Sequence, residues 1–171
     1  MPHHRCVLAA AIGPAHQKGR DMLKIGDTAP DFKLADEEGK LFVLHEELRK
    51  GPIVLYFYPR DFTAGCTAEA CGFRDSYDSF ASGGYQVVGV SSDNAERHRR
   101  FKDSNKLPFR LLTDADRSVA RSFGIGKAFG IIPGRVTFVI SGEGKIQQVF
   151  ESLTNIRGHV ASALETIKGR G

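Results

Sequence analysis

Cys66 and Cys71 stand five residues apart in the stretch YPRDFTAGCTAEACGFRDSY, and a thiol does nucleophilic chemistry only as its thiolate. Cys66 follows an apolar run, IVLYFY over 53–58, and a turn containing Gly65. It opens a stretch with helical character that reaches about Ser82 and stops at Gly83-Gly84. At a helix N-terminus the unpaired backbone N–H groups and the macrodipole favour an anion, which lowers a cysteine pKa from about 8.5 toward the range of roughly 3.5 to 7.5. Cys66 is therefore expected to be a nucleophile. Thr63, three residues earlier, is placed either to cap the helix or to turn its hydroxyl on the sulfur or an incoming oxygen, and both readings stand.

The spacing constrains what the second thiol can do. Over five residues a helix advances about 7.5 Å and ends about 140° out of register, so the two Cα atoms would lie roughly 8.6 Å apart. That exceeds the limit of about 7 Å for a disulfide without backbone movement. A bond between the two sulfurs is then no static staple; within one intact helix it requires the first turns to unwind. A zinc site would want four ligands, and no second cysteine pair or well-spaced histidine pair accompanies these two, so no metal and no other cofactor is expected. The Cys-x-x-Cys of a dithiol exchanger is absent as well.

The elements that must position this pair alternate along the chain. Lys40–Val43, Ile53–Tyr58 and Tyr85–Ser91 read as strands, the middle one apolar enough to be buried on both faces. Asn94–Ser104 reads as a helix, and Asp114–Phe123 as another, opened by Asp at a capping position. Arg135–Ile140 and Ile146–Phe150 flank the Gly-rich turn SGEGK as a hairpin, and Ile156–Lys168 closes the chain as a helix. The pattern predicts an α/β fold with a central mixed sheet flanked by helices. Residues 22–171 form the domain, and 1–21 lack periodicity and read as an N-terminal extension. That extension is a disordered tail, an upstream start with Met22 as initiator, or a targeting segment whose apolar stretch Val7–Ile12 is shorter than a usual signal core. Cys6 within it reads as an incidental free thiol.

At 171 residues, 41% hydrophobic and 26% charged, the chain has the size and composition of one ordinary globular domain. The net charge of +4 comes from 24 basic and 20 acidic residues. The densest basic run, ERHRRFK over 96–102, reads as a solvated helix face with Phe101 turned inward. Nucleic-acid binding, which needs basic residues gathered on one surface, is not expected. No apolar run is long enough to span a bilayer. Three cysteines make no disulfide framework, which suits a reducing compartment, and a cytoplasmic protein is expected.

The segment quoted above resembles the active-site segment of the peroxiredoxins, and closely their Q subtype, also called bacterioferritin comigratory protein. Pro59, Thr63 and Cys66 fall on the family's Pro-x-x-x-Thr-x-x-Cys pattern, and Cys71 where that subtype places its resolving cysteine. Arg135, in PGRVTFVI, falls on the family's arginine at the start of a later strand. The resemblance runs from about Met22 to the C-terminus and departs at Ala64, where proline is usual before Gly65. It implies a thioredoxin-like fold and a thiol peroxidase for hydrogen peroxide and organic hydroperoxides. In it Cys66 becomes a sulfenic acid, Cys71 condenses with it, and thioredoxin or a similar dithiol protein reduces the disulfide. Pro59 would shape the loop and shield the sulfur, Thr63 would bond sulfur or peroxide, and Arg135 would stabilise the developing charge. A resolving cysteine in the same chain removes the need for a dimer, so a monomer is expected. The alternative is a non-enzymatic redox sensor or chaperone using the same pair. Glu69 is read as organising the helix or nearby arginines, and His45, His98 and His159 as structural or exposed residues without partners.

Overall fold

A computed structural model of the chain describes residues 21–128 and 130–169. The expectations for the extension and Cys6 lie outside the described residues. Among the described residues fifteen elements follow in chain order. A hairpin of β1 (Lys33–Ala35) and β2 (Leu41–Val43) leads into α1 (Leu44–Leu48) and the strand β3 (Ile53–Phe57). Next come α2 (Ala64–Asp75), α3 (Tyr77–Ser82), β4 (Gln86–Ser91), α4 (Ala95–Asn105), β5 (Arg110–Thr113) and α5 (Ser118–Ser122). Two short strands, β6 (Lys127–Ala128) and β7 (Ile132–Pro133), precede β8 (Val136–Ile140), β9 (Ile146–Glu151) and α6 (Ile156–Lys168).

The central sheet has five strands in the order β5-β4-β3-β8-β9. The first three are parallel, β8 runs antiparallel to β3, and β9 turns back antiparallel to β8 as a hairpin. Strand β3 is buried along its whole length because helices cover both faces, which is why its sequence is continuously apolar rather than alternating. The pleat sorts its side chains: Ile53, Leu55 and Phe57 enter the core built with α1 and α5, while Val54 and Tyr56, with Tyr58 just past the strand end, enter the core built with α2, α3, α4 and α6. Cys66 belongs to the second core. Gly89 in β4 is required by packing, since a Cβ there would sit 2.9 Å from the Tyr56 ring and from Leu111.

The expected helix over 66–82 is two helices, broken at Ser76, whose φ of −99° and ψ of 4° leave the helical region. The helix expected from Asp114 starts four residues later, at Ser118. Asp114 still caps it from a distance, its carboxylate accepting from the N–H groups of Val119 and Ala120 at 3.2 and 2.9 Å. Strand β5, at four residues too short to announce itself, forms because β4 offers it an edge. Among the described residues no helix is long and apolar enough to cross a membrane.

Candidate active site

The loop from Tyr58 to Thr63 carries the chain from the end of β3 to the start of α2. It is held from beneath by Asp61, which is fully buried. Its carboxylate accepts from the Tyr58 hydroxyl at 2.5 Å and meets His98 Nδ1 at 2.6 Å. Its own N–H donates to Asp93 at 2.7 Å, and Arg97 donates to its carbonyl at 2.9 Å. His98 also reaches the Leu112 carbonyl through Nε2 at 3.1 Å, so α4 and β5 both fasten this loop. Asp61, Asp93 and His98 form a group whose donor atoms lie close enough for a metal ion. The partners just named already engage those atoms, and the group fits the role of loop anchor. Phe62 pays for the tight course with a φ of 65°, a conformation costly for a bulky residue. It is held there by the Arg97 guanidinium at 5.3 Å and the edge of Phe101 at 5.3 Å.

Thr63 is the N-cap of α2. Its Oγ1 accepts from the Cys66 N–H at 3.3 Å and donates to the Arg60 carbonyl at 3.2 Å. Cys66 lies in the first turn, 1% exposed, where the free N–H groups of the helix start favour a thiolate. Arg135, at the entry to β8, reaches across the sheet so that its Nη2 donates to Cys66 Sγ at 3.4 Å and its Nη1 to Glu69 Oε1 at 2.9 Å. Gly65 leaves room for it, since a Cβ there would lie 3.1 Å from Arg135 Nη2. Burial opposes the arginine's charge, but Glu69 and Cys66 outweigh it and hold its pKa above the ordinary value.

Cys66, Thr63 and Arg135 are thus joined by hydrogen bonds. Cys71 faces elsewhere: half-buried in the same unbroken helix, its thiol lies 3.7 Å from Asn105 Oδ1 at the end of α4. It also lines a groove of about 530 Å³ between α2 and α6 with Ala68, Val160 and Leu164. Both cysteines are free thiols. Pro59 is half-buried and lines a small cleft with Tyr58, Pro133 and Gly134.

Two histidines read as partnerless are in fact fully buried with partners. His98 is the loop anchor just described. His159, on α6, meets the Thr137 hydroxyl with Nδ1 at 2.8 Å and the Ser152 carbonyl with Nε2 at 2.8 Å. Burial lowers its pKa to about 4, leaving it neutral. Only the pairing of β8 with β9 and the docking of α6 bring these residues together, and no short spacing marks them. His45 is exposed, 2.5 Å from Asp31. Glu69, fully buried at 0% exposure, does organise an arginine, Arg135.

A mixed sheet with a thiol at the strand-to-helix junction, capped by a threonine and faced by an arginine, defines a thioredoxin-like thiol protein. The sequence profile described as the AhpC/TSA family matches residues 25–149. Peroxiredoxin Q, chloroplastic, of Oryza sativa subsp. japonica is 39% identical over 144 residues, covering 84% of this chain and 66% of the rice protein. The protein of the same name from Arabidopsis thaliana is 41% identical over 160 residues, covering 92% and 74%. Among solved structures, peroxidoxin BcpB of Mycobacterium tuberculosis superposes with a TM-score of 0.81 at 37% identity, covering 86% of this chain and 97% of that one. The chain belongs to the AhpC/TSA family and, within it, to the peroxiredoxin Q or bacterioferritin comigratory protein subtype. It spans 66% of the length of the rice relative.

These relatives correct one expectation. A cytoplasmic address does not stand, because curated relatives of this chain are chloroplastic proteins. The physical reason is that cysteine count reports the redox state of a compartment and not which compartment it is.

Proposed function

We propose that this protein is a thiol-dependent peroxidase that reduces hydrogen peroxide and organic hydroperoxides to water and alcohols. The observation that carries this reading is the Cys66 sulfur in the first turn of α2, with Arg135 Nη2 donating to it at 3.4 Å. The helix start and the guanidinium both favour the thiolate, and the same donors favour the charge that develops on the peroxide oxygens. The thiolate attacks the nearer oxygen, an S–O bond forms as the O–O bond breaks, and the departing oxide takes a proton. Sulfur is oxidised by two electrons to a sulfenic acid as the peroxide is reduced. The Thr63 hydroxyl, beside this turn, orients the attacked oxygen, and Pro59 shapes the loop that shields it. Cys71 then attacks the sulfenic sulfur, water leaves, and a disulfide forms that thioredoxin or a similar dithiol protein reduces. Both cysteines come from one chain, which supports a catalytically complete monomer.

The test is steady turnover of hydrogen peroxide and an alkyl hydroperoxide coupled to a thioredoxin system. Cys66→Ser is expected to abolish turnover of both peroxides. Cys71→Ser should leave one equivalent of oxidation at Cys66 and lose recycling. Stoichiometric oxidation of the unaltered protein without turnover would overturn the reading in favour of a redox sensor.

A further inference from the structure

At the start of α2 one cation serves two acids. Arg135 bridges Cys66 Sγ and Glu69 Oε1, and all three side chains are buried. In surroundings this dry a second anion beside a single cation carries a desolvation cost with nothing to offset it. Charge balance therefore admits one negative charge on the pair, on the sulfur or on the carboxylate. The other groups facing Glu69 bring no second positive charge. Tyr56, from β3, is a buried hydroxyl that burial and Glu69 itself hold neutral. His159, from α6, is neutral for the reasons given above.

The second carboxyl oxygen carries the stronger sign. Glu69 Oε2 is buried and without a hydrogen-bond partner, and it lies 3.5 Å from His159 Nδ1. That nitrogen is an acceptor, because the ring's one proton is committed at Nε2 to the Ser152 carbonyl. A carboxylate sets oxygen lone pairs against a nitrogen lone pair. A protonated carboxyl turns the same contact into a donor and an acceptor, with the Thr137 hydroxyl sharing Nδ1.

We propose that Glu69 is the internal proton acceptor of Cys66: as the sulfur ionises, its proton comes to reside on Glu69 Oε2, and Arg135 is left with the thiolate as its only anionic partner. This rests on the reading of Cys66 as the nucleophile. The S–H bond breaks and an O–H bond forms, with no change of oxidation state. When the thiolate attacks a peroxide, the departing oxide needs one proton and the sulfenic acid is neutral, so Glu69 returns to its carboxylate as the remaining anion beside Arg135. The position of the proton is an equilibrium property and does not depend on the path it travels. Burial pushes the Glu69 carboxyl up to about 7 against the pull of Arg135, close enough to neutrality to gain and lose a proton in each cycle. Glu69 acts on the sulfur through Arg135 and is in that sense a positioning residue.

The test is infrared difference spectroscopy near neutral pH on full-length Cys71→Ser protein, before and after alkylation of Cys66 with iodoacetamide. A buried carboxylic-acid band is expected in the reduced protein. It should be lost on alkylation, with one proton released per Cys66 modified, and be missing from the Glu69→Gln variant. Absence of the band in reduced protein, or a band unchanged by alkylation, would overturn the proposal. The main reading does not depend on the difference spectrum, so a fixed band together with an inactive Cys66→Ser variant sinks this inference alone. If Glu69→Gln fails to fold, the response of the folded parent protein to alkylation still decides.

Discussion

At the scale of single residues, Arg135 is the side chain on which the Cys66 thiol and the Glu69 carboxyl converge. Its two-pronged guanidinium donates to a sulfur and a carboxylate at once, a geometry that a lysine ammonium does not reproduce. Arg135→Met is expected to slow the peroxide step by about 10²- to 10³-fold. Arg135→Lys should recover little of that loss, as measured by single-turnover oxidation of Cys66. Thr63 carries two tasks that substitution separates. Thr63→Val removes the cap and should cost about 1 kcal/mol of stability in urea unfolding. Thr63→Asn keeps a capping oxygen and should stay within a few tenths of a kcal/mol of the parent while still losing peroxide rate, because the hydroxyl is gone. Equal rates in Thr63→Asn and the parent would leave Thr63 as a cap alone. The chemistry-bearing types were legible in the sequence at this scale. Glu69 was legible only as an acid in a helix, and its burial against Arg135 was not, because β8 is distant in the chain and brings its arginine across by pairing with β3.

At the scale of elements, helix α2 holds both cysteines in one unbroken run, and the pair joins only if that run opens. Two contacts from α4 hold it shut: the Cys71 thiol against Asn105 Oδ1, and Arg74 donating to the Asn105 carbonyl at 2.7 Å. Amide exchange over Cys66–Phe73 is expected to be markedly faster in the oxidised protein than in the reduced one. Arg74→Ala should speed exchange in the reduced protein as well. Equal protection in both oxidation states would rule out opening of the helix. The five-residue spacing announced this constraint, since it follows from helix geometry alone. The latch did not announce itself, because Asn105 is one polar residue near the end of an exposed helix until α4 packs beside α2.

At the scale of the whole molecule, the buried His159 shapes the pH dependence of stability. With a pKa lowered from 6.5 to about 4, it contributes stability that is present above pH 6.5 and lost as pH falls through 4. This arm is about 3 kcal/mol by linkage. The Cys66 and Glu69 pair, holding one proton between them as proposed above, matches the unfolded chain above pH 4.5 and adds no slope there. The parent protein is expected to gain stability steadily from pH 4.5 to 6.5, and His159→Gln to be flat across that window. Urea unfolding at a series of pH values checks this, and parallel curves for the two proteins would refute it. By itself the sequence determined the alternation of strands and helices, the hairpin around SGEGK, and a thiol placed at a helix start. Each of these is written in local periodicity, turn residues and spacing. Only the tertiary structure decided what surrounds that thiol: Arg135 from β8, Glu69 beneath it, His159 from α6, and the Asp61 and His98 anchor under the loop. Those residues meet because β8 pairs beside β3 and the sheet packs α4 and α6 on the same face as α2, and such meetings depend on long-range pairing that no local pattern records.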